Sequence, residues 1–442
     1  MKYDYQIYKI IVGDEMKYEM DYIYGIPKFS QKASVANTKE MLRRIGFDES
    51  TKKIIHIAGT NGKGSVCAYL SEILQLAGKK TGMFTSPHLV RMNERIVING
   101  KEVSDKLFEE SFARIKKISE EMVRDGYIHP SFFEFLFGMG MDIFMRENVE
   151  YIVLETGLGG RLDATNAIEH PVLTVITSIG LDHTDILGNT YAEIASEKAG
   201  IIKENVPVVF ESKIKEVTDV IRKTADKMNS EIIEFSPEDI RNIKVNDKNI
   251  DFCLYNKYYD NVCFSVKSRG VYQSENGALA AIAAGVGLGI DEDVIKKGLE
   301  SANWTGRMQQ LGNGMIIDGA HNDDGIMRFI ESVRASKDKR RILIFSAVKD
   351  KHYEGMIEKL CDSSLFDCII TGVLDDPRGA ERSVFETVFS RYPEQKSIHC
   401  KTVADAYDEA VKIAGNEACL YAAGSLYLVG EILDITKEFQ HD

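Results

Sequence analysis

The run Ile54-Ile55-His56-Ile57-Ala58 passes without a break into Gly59-Thr60-Asn61-Gly62-Lys63-Gly64-Ser65. Beyond it, Val66, Tyr69, Leu70, Ile73 and Leu74 recur at three- and four-residue spacing, the pattern of an amphipathic helix that Gly78 would end. A buried strand, a glycine-rich turn and a helix in that order point to a parallel sheet covered by helices. They also predict a chemistry. Glycines let backbone amides wrap a phosphate, the helix amino terminus favours its charge, and a lysine here can reach the outer phosphates. The spacing departs from the common P-loop, which has four residues between its first glycine and the Gly-Lys pair. Here two residues intervene, and Gly64 precedes Ser65. An ordinary glycine turn with a solvated lysine is the alternative, and the strand before and helix after argue against it.

The same alternation continues along the chain. Strands are expected at 80–84, 150–155, 172–178 and 206–210, each bounded by polar or glycine-rich turns. The unusual residues cluster in those turns, where open α/β sheets bind ligands. Alternating polarity over 240–268 predicts a small antiparallel insert, and helices are expected at 273–288 and 291–299. A new alternation starts at Met315-Ile316-Ile317-Asp318, with strands near 341–346, 367–371 and 418–423. The expected architecture is therefore α/β: a P-loop parallel-sheet ATPase domain over residues 1–300, then a smaller Rossmann-like α/β domain over 301–442.

Acidic residues outnumber basic ones 68 to 55, a formal charge of −13, which excludes a broad nucleic-acid footprint. Residues 1–21 interleave charge with apolar groups, unlike a secretory signal. The longest apolar stretch, Ala278 to Ile290, is too short for a bilayer and reads as a packed helix. The seven cysteines contain no Cys-x-x-Cys pair and are expected to be reduced, buried thiols. A cytoplasmic protein with no membrane or nucleic-acid partner is the expectation.

The loop Gly59 to Ser65, followed by Ser86-Pro87-His88-Leu89 and Glu94-Arg95-Ile96, resembles the folylpolyglutamate synthase and dihydrofolate synthase branch of the Mur ligase superfamily. Glu155 to Asn166, Leu181-Asp182-His183, Glu197 to Ile201, Gly306-Arg307, Asp318 to Asn322 and Gly424-Ser425 extend the match in order, over nearly the whole chain. Muramyl ligases put Thr or Ser directly after the loop lysine, whereas this chain has Gly64, which favours the folate branch.

The resemblance implies an ATP-dependent ligase that joins L-glutamate to a reduced folate or to dihydropteroate through an acyl phosphate. By the same resemblance Lys63 meets the β and γ phosphates, and the amides of Asn61, Gly62, Lys63, Gly64 and Ser65 cradle them. Ser86, Glu155 and His183 match magnesium positions, and Lys198 matches a lysine that is often carbamylated and then helps hold a second magnesium. Lys63, Lys198 and His183 form the implied catalytic set. Asn276 matches an adenine contact, Arg307 and Asp318 positions near the nucleotide, and His321 and Ser425 positions for the incoming glutamate. Taken alone, His183 reads as a structural histidine, Glu155 as a strand-end carboxylate and Lys198 as a solvated partner of Glu197. The aromatic block at 130–137 aligns beside a pteridine site, but the residues after it depart from the family pattern, and aromatics at helical spacing are more often core. A monomer is expected. The alternatives are a muramyl-type ligase, for which about 50 residues before the loop leave no room for a UDP-substrate domain, and a P-loop ATPase without ligase activity. Lys63→Ala is expected to keep the fold and reduce turnover by ~100-fold or more, the scale of deleting a preorganised charge. Near-normal turnover at saturating ATP would remove Lys63 from the phosphates.

Overall fold

The computed structural model describes residues 16–27, 35–312, 314–415 and 417–438. Most of the amino-terminal stretch read for a signal, residues 1–15, lies outside them.

Eight strands form the first sheet, in the order β4-β3-β2-β5-β1-β6-β7-β8. They are β1 (Lys53–Ala58), β2 (Thr81–Phe84), β3 (Ile96–Ile98), β4 (Lys101–Glu102), β5 (Tyr151–Glu155), β6 (Leu173–Ile176), β7 (Val208–Glu211) and β8 (Ile232–Phe235). β2, β5, β1, β6, β7 and β8 are parallel, and β3 and β4 extend one edge antiparallel. Successive residues of a strand point to opposite faces, so both faces must be covered. Ile55, Ile57, Val153 and Val175 pack under the Lys63–Leu76 helix through Val66, Leu70 and Ile73. Ile54, Ile152, Leu154 and Phe84 pack against Phe135, Phe137 and Phe144 of the Phe132–Arg146 helix. Ser131 caps that helix, and Glu134 closes the capping box from inside it.

The expected antiparallel insert is a three-stranded sheet of β9 (Ile240–Val245), β10 (Ile250–Tyr255) and β11 (Asp260–Val266), seated on the first core through Phe252 and Phe264. It corrects the reading of all seven cysteines as reduced. Cys253 and Cys263 are register partners on β10 and β11, with Cα atoms 3.9 Å apart, and are joined by a disulfide. Cys67, Cys361 and Cys368 are buried free thiols, and Cys400 and Cys419 are half-buried.

The segment read as one helix over 273–288 is α-helical for Gln273–Ile282 and then widens into a π turn, Ala283–Gly287. Ala278 to Ala284 are buried, as expected of a packed helix. Among the described residues no helix is long and apolar enough to cross a membrane.

The third sheet has the order β12-β13-β17-β14-β15-β16, from β12 (Gln309–Gln310), β13 (Ile316–Ile317), β14 (Arg341–Phe345), β15 (Cys368–Thr371), β16 (Ser397–His399) and β17 (Cys419–Ala423). All but β12 are parallel. Leu343 and Phe345 face one layer with Phe329 and Leu360, while Ile342 and Ile344 face the other with Ala406 and Leu428. The two large sheets are thus doubly covered, and their loops are left to meet each other.

Candidate active site

The loop after β1, the loop after β2 and the ends of β5, β6 and β7 open at the carboxyl edge of the first sheet. Facing them are the loop after β13 and the turn after β17. Between the two groups lies a cavity of about 800 Å³, lined by Asn61, Gly62, Lys63, Gly64, Ser65, Ser86, Glu155, His183, Lys198, Asn276, Arg307, Asp318, His321 and Ser425. Every residue to which the resemblance gives a site role therefore lines one cavity.

The loop's shape comes from its glycines. Gly62 has φ +88°, and a Cβ there would fall 2.3 Å from Asn276 Oδ1. Lys63 Nζ donates to the carbonyls of Gly59 (3.1 Å) and Thr60 (3.2 Å) and lies 3.9 Å from Glu155 Oε1. Glu155 is buried, and its other oxygen accepts the Ser86 amide at 2.9 Å. Burial raises its carboxyl above the usual range, against the pull of Lys63.

Lys198 lies near the end of the Tyr191–Ala199 helix, 4% exposed, and donates to Gly59 O at 2.7 Å. Burial, reinforced by Lys63, lowers its pKa to about 7. The solvated pairing of Lys198 with Glu197 does not occur: Glu197 binds Arg161 instead, at 2.8 Å. His183 takes a left-handed backbone, φ +51°, and its Nε2 lies 3.3 Å from Lys351 Nζ. Burial and then Lys351 depress its pKa.

No group of three or more His, Cys, Asp and Glu side chains among the described residues could by itself enclose a metal. Magnesium does not require one, because it keeps waters and takes one or two carboxylates beside substrate phosphates. A buried carboxylate held by the Ser86 amide, with burial working against its charge, fits such a cation. His183 is the less committed donor, since it shares Lys351.

On the opposite wall Asp318 is buried and accepts from Tyr272 OH (2.6 Å) and the amides of Met308 (2.9 Å) and Ala320 (2.8 Å). Burial raises its carboxyl, and Arg307 opposes the rise. Arg307 Nη1 donates to Gly306 O at 3.0 Å and closes so tightly on Gly319 that a Cβ there would lie 2.1 Å from it. His321 Nδ1 is 2.7 Å from Gly319 O, which assigns the proton to Nδ1 and leaves Nε2 as an acceptor. Burial lowers this histidine to about 4, so the ring is neutral. Ser425 is buried, and its Oγ accepts the Tyr427 amide at 3.1 Å.

Several contacts escaped the sequence reading. Lys351 pairs with Asp182 at 2.5 Å, and Asn322 Nδ2 donates to the same carboxylate at 2.9 Å. Asn61 Nδ2 donates to Asp324 Oδ2 at 2.8 Å and lies 3.3 Å from Asn322 Oδ1. The phosphate-loop region and the β6 loop are thereby tied to residues around the third sheet. Burial alone would raise the Asp182 carboxyl, but Lys351 and His183 hold it well below its usual range. Asp182 and Asn322 lie in motifs already singled out, whereas nothing local marks Lys351. The aromatic block divides: Phe132 and Phe133 line the cavity, while Phe135 and Phe137 are core. The buried Arg95 guanidinium lies 5.6 Å from the Phe132 ring centroid, the span of a cation–π contact.

Residues 140–285 match the Mur ligase middle domain and residues 306–426 the Mur ligase glutamate ligase domain, so fold and cavity together define a Mur-type ligase. A Bacillus subtilis dihydrofolate synthase/folylpolyglutamate synthase is 33% identical, over 93% of this chain and 96% of its own. E. coli FolC in complex with DHPP and ADP superposes with a TM-score of 0.82 at 29% identity, over 95% of this chain and 97% of that one. A Mycobacterium tuberculosis folylpolyglutamate synthase complexed with ADP and AMPPCP gives 0.83 at 25% identity, over 92% and 96%. The chain belongs to the folylpolyglutamate synthase/dihydrofolate synthase family.

The depressed Lys198 pKa has a consequence for stability. Between about 7 and the ordinary lysine value of 10.5, the unfolded chain holds a proton at this residue that the native state does not. Native stability relative to Lys198→Met should therefore rise with pH through that window and level off above it. Urea unfolding of both proteins at pH 6.5, 8 and 9.5 measures this. A pH-independent difference would mean that Lys198 is solvated.

Proposed function

We propose that this chain uses ATP to join L-glutamate to a folate-type carboxylate, extending a reduced folate, converting dihydropteroate to dihydrofolate, or both. The observation that carries the reading is the meeting, in one cavity, of the phosphate loop with Lys63 and the second-domain residues Arg307, His321 and Ser425. A phosphate loop alone serves any ATPase. The facing residues supply a place for a second and a third substrate.

An amine does not displace a carboxylate oxygen directly. The folate carboxylate oxygen attacks the γ phosphorus, ADP leaves, and the resulting acyl phosphate is opened by the glutamate amine with loss of phosphate. The protein's part is to position reactants and neutralise charge. Asn61 to Ser65 cradle the phosphates through backbone amides, with Lys63 and Arg307 converging on the transferred group and Asn276 and Asp318 beside the nucleotide. Ser86, Glu155 and His183 would hold magnesium, which gathers charge on the terminal phosphates. His321 and Ser425 face the incoming amino acid. The neutral His321 ring carries its proton on Nδ1 and has Nε2 4.0 Å from Asp182 Oδ2, so a proton taken up at Nε2 as the amine attacks would be held beside a carboxylate.

Lys198 acts as its carbamate in this reading. Addition to carbon dioxide needs the neutral amine, and a pKa of about 7 supplies a large neutral fraction at physiological pH. The product is an anionic oxygen ligand where an ammonium would repel a cation. In this reading the enzyme is a cytoplasmic monomer, with the phosphate loop, Glu155, Lys198, Arg307 and His321 lining one cavity of one chain.

The test is ADP release with magnesium, L-glutamate and either dihydropteroate or tetrahydrofolate, each omitted in turn. Release should need all three components. Equal turnover with a UDP-muramyl substrate and no response to pteroates would overturn the reading. For the carbamate, 13C-bicarbonate should give a carbamate carbon signal in the wild type that vanishes in Lys198→Ala. A fully active wild type without the signal would exclude the modification.

A further inference from the structure

One cavity residue takes no part in the chemistry above. Glu211 ends β7, its side chain lines the cavity, and its Oε1 is buried without a hydrogen-bond partner among the described residues. Its neighbour Glu275 differs in this respect, because it is paired with Lys213 at 2.9 Å and with Arg328 at 3.3 Å. The basic groups at this end of the cavity are therefore engaged by Glu275, and Glu211 is left as an acceptor lacking a donor. Burial, followed by the neighbouring Glu275 carboxylate, pushes its carboxyl above the usual range. A hydrogen-bond donor brought to that oxygen would relieve the desolvation.

Sheet order says which part of a nucleotide could bring that donor. The phosphate loop leaves β1, and β7 lies two strands away through β6, roughly 10 Å at ordinary strand spacing. On the other side of β1, Phe133 packs on Gly157 just after β5, and Ser86 follows β2. Phosphates seated on the loop thus have an aromatic end to one side and the Glu211 end to the other. Asn276 bridges the latter side, with Oδ1 pressed against Gly62, and Leu279, one turn further along the same helix, adds an apolar wall for a flat ring.

We propose that Glu211 accepts a hydrogen bond from the exocyclic amino group of the nucleotide's adenine ring and so selects the base. The inference rests on the nucleotide reading above. Hypoxanthine, with a carbonyl oxygen in place of that amino group, presents an acceptor to an acceptor, and a buried unpaired polar contact of this kind disfavours binding strongly.

The test is calorimetric binding of ADP, IDP and 2′-deoxyADP, with magnesium and without folate, to the wild type, Glu211→Gln and Glu211→Ala. The wild type should prefer ADP to IDP by about 10-fold or more, the scale of one hydrogen bond to a charged group. Glu211→Ala should lose most of that preference. Glu211→Gln, which keeps an oxygen acceptor, should retain part of it, showing that the loss in Glu211→Ala is not a folding defect. Both variants should keep the wild type's ratio of ADP to 2′-deoxyADP affinity. An unchanged ADP to IDP ratio in both variants would overturn the inference while leaving the nucleotide site intact. A changed ratio of ADP to 2′-deoxyADP affinity instead would move Glu211 to the ribose and overturn it as well. A wild type that binds no ADP would overturn the nucleotide reading and this inference together.

Discussion

A single carbonyl oxygen organises the cavity. Gly59 O, at the end of β1, accepts from both Lys63 and Lys198, so two ammonium groups from distant parts of the chain converge beside the phosphate loop. Such convergence is unfavourable by itself, because like charges repel and Lys198 is almost wholly buried. Lys198 answers by losing its proton near neutral pH, and Lys63 by lying close to the buried Glu155. The loop, the β5 carboxylate and the Tyr191–Ala199 helix thus share one electrostatic arrangement, in which Lys63 pulls the Glu155 carboxyl down and helps burial lower Lys198.

The chain carries 68 acidic residues against 55 basic ones, yet the cavity brings Lys63, Arg307, Lys351 and Arg95 to its walls. Net charge describes the surface at long range and says little of a cavity, where field lines are focused by low-dielectric walls. The local cations suit phosphates and carboxylates, which is why an acidic protein can hold a polyanionic nucleotide and acidic substrates. The pair Lys351–Asp182 and the Asn61–Asp324 contact then set how the two sheets face each other, through polar groups whose partners lie more than 150 residues away in sequence.

Sequence distance separates what could be read from what could not. The strand, loop and helix at residues 53–76 declared themselves because glycine placement and apolar period are local, and the motifs in the later turns reached the same cavity. Strands of two or three residues such as β4, β12 and β16 are too short to show a period, and the π turn at 283–287 keeps the helical composition around it. Cys253 and Cys263 sit ten apart with no spacing signal, and only the antiparallel register brings them opposite one another. Phe132 and Phe133 could not be told from Phe135 and Phe137, since all four belong to one helix and Phe133 and Phe137 both pack on Phe84. Lys351 and Glu211 carry no motif, and their roles exist only once the sheets face each other.

The departure from the common phosphate loop has a packing cause. At Gly64, where related loops carry a hydroxyl residue, a Cβ would meet the Trp304 ring at 2.8 to 3.0 Å. Trp304 lies just beyond the Glu292–Ser301 helix, on the stretch leading to the third sheet, and packs on the first core. The indole therefore requires glycine at position 64, and the hydroxyl moves one residue on. Ser65 Oγ accepts from Gln273 Nε2 at 3.1 Å, Gln273 Oε1 accepts from Asn276 Nδ2 at 2.8 Å, and Asn276 Oδ1 presses on Gly62. The loop is held at both ends by one helix and in the middle by the segment between the domains. The loop therefore touches both the helix that carries Asn276 and the stretch that leads, three residues after Trp304, to Arg307.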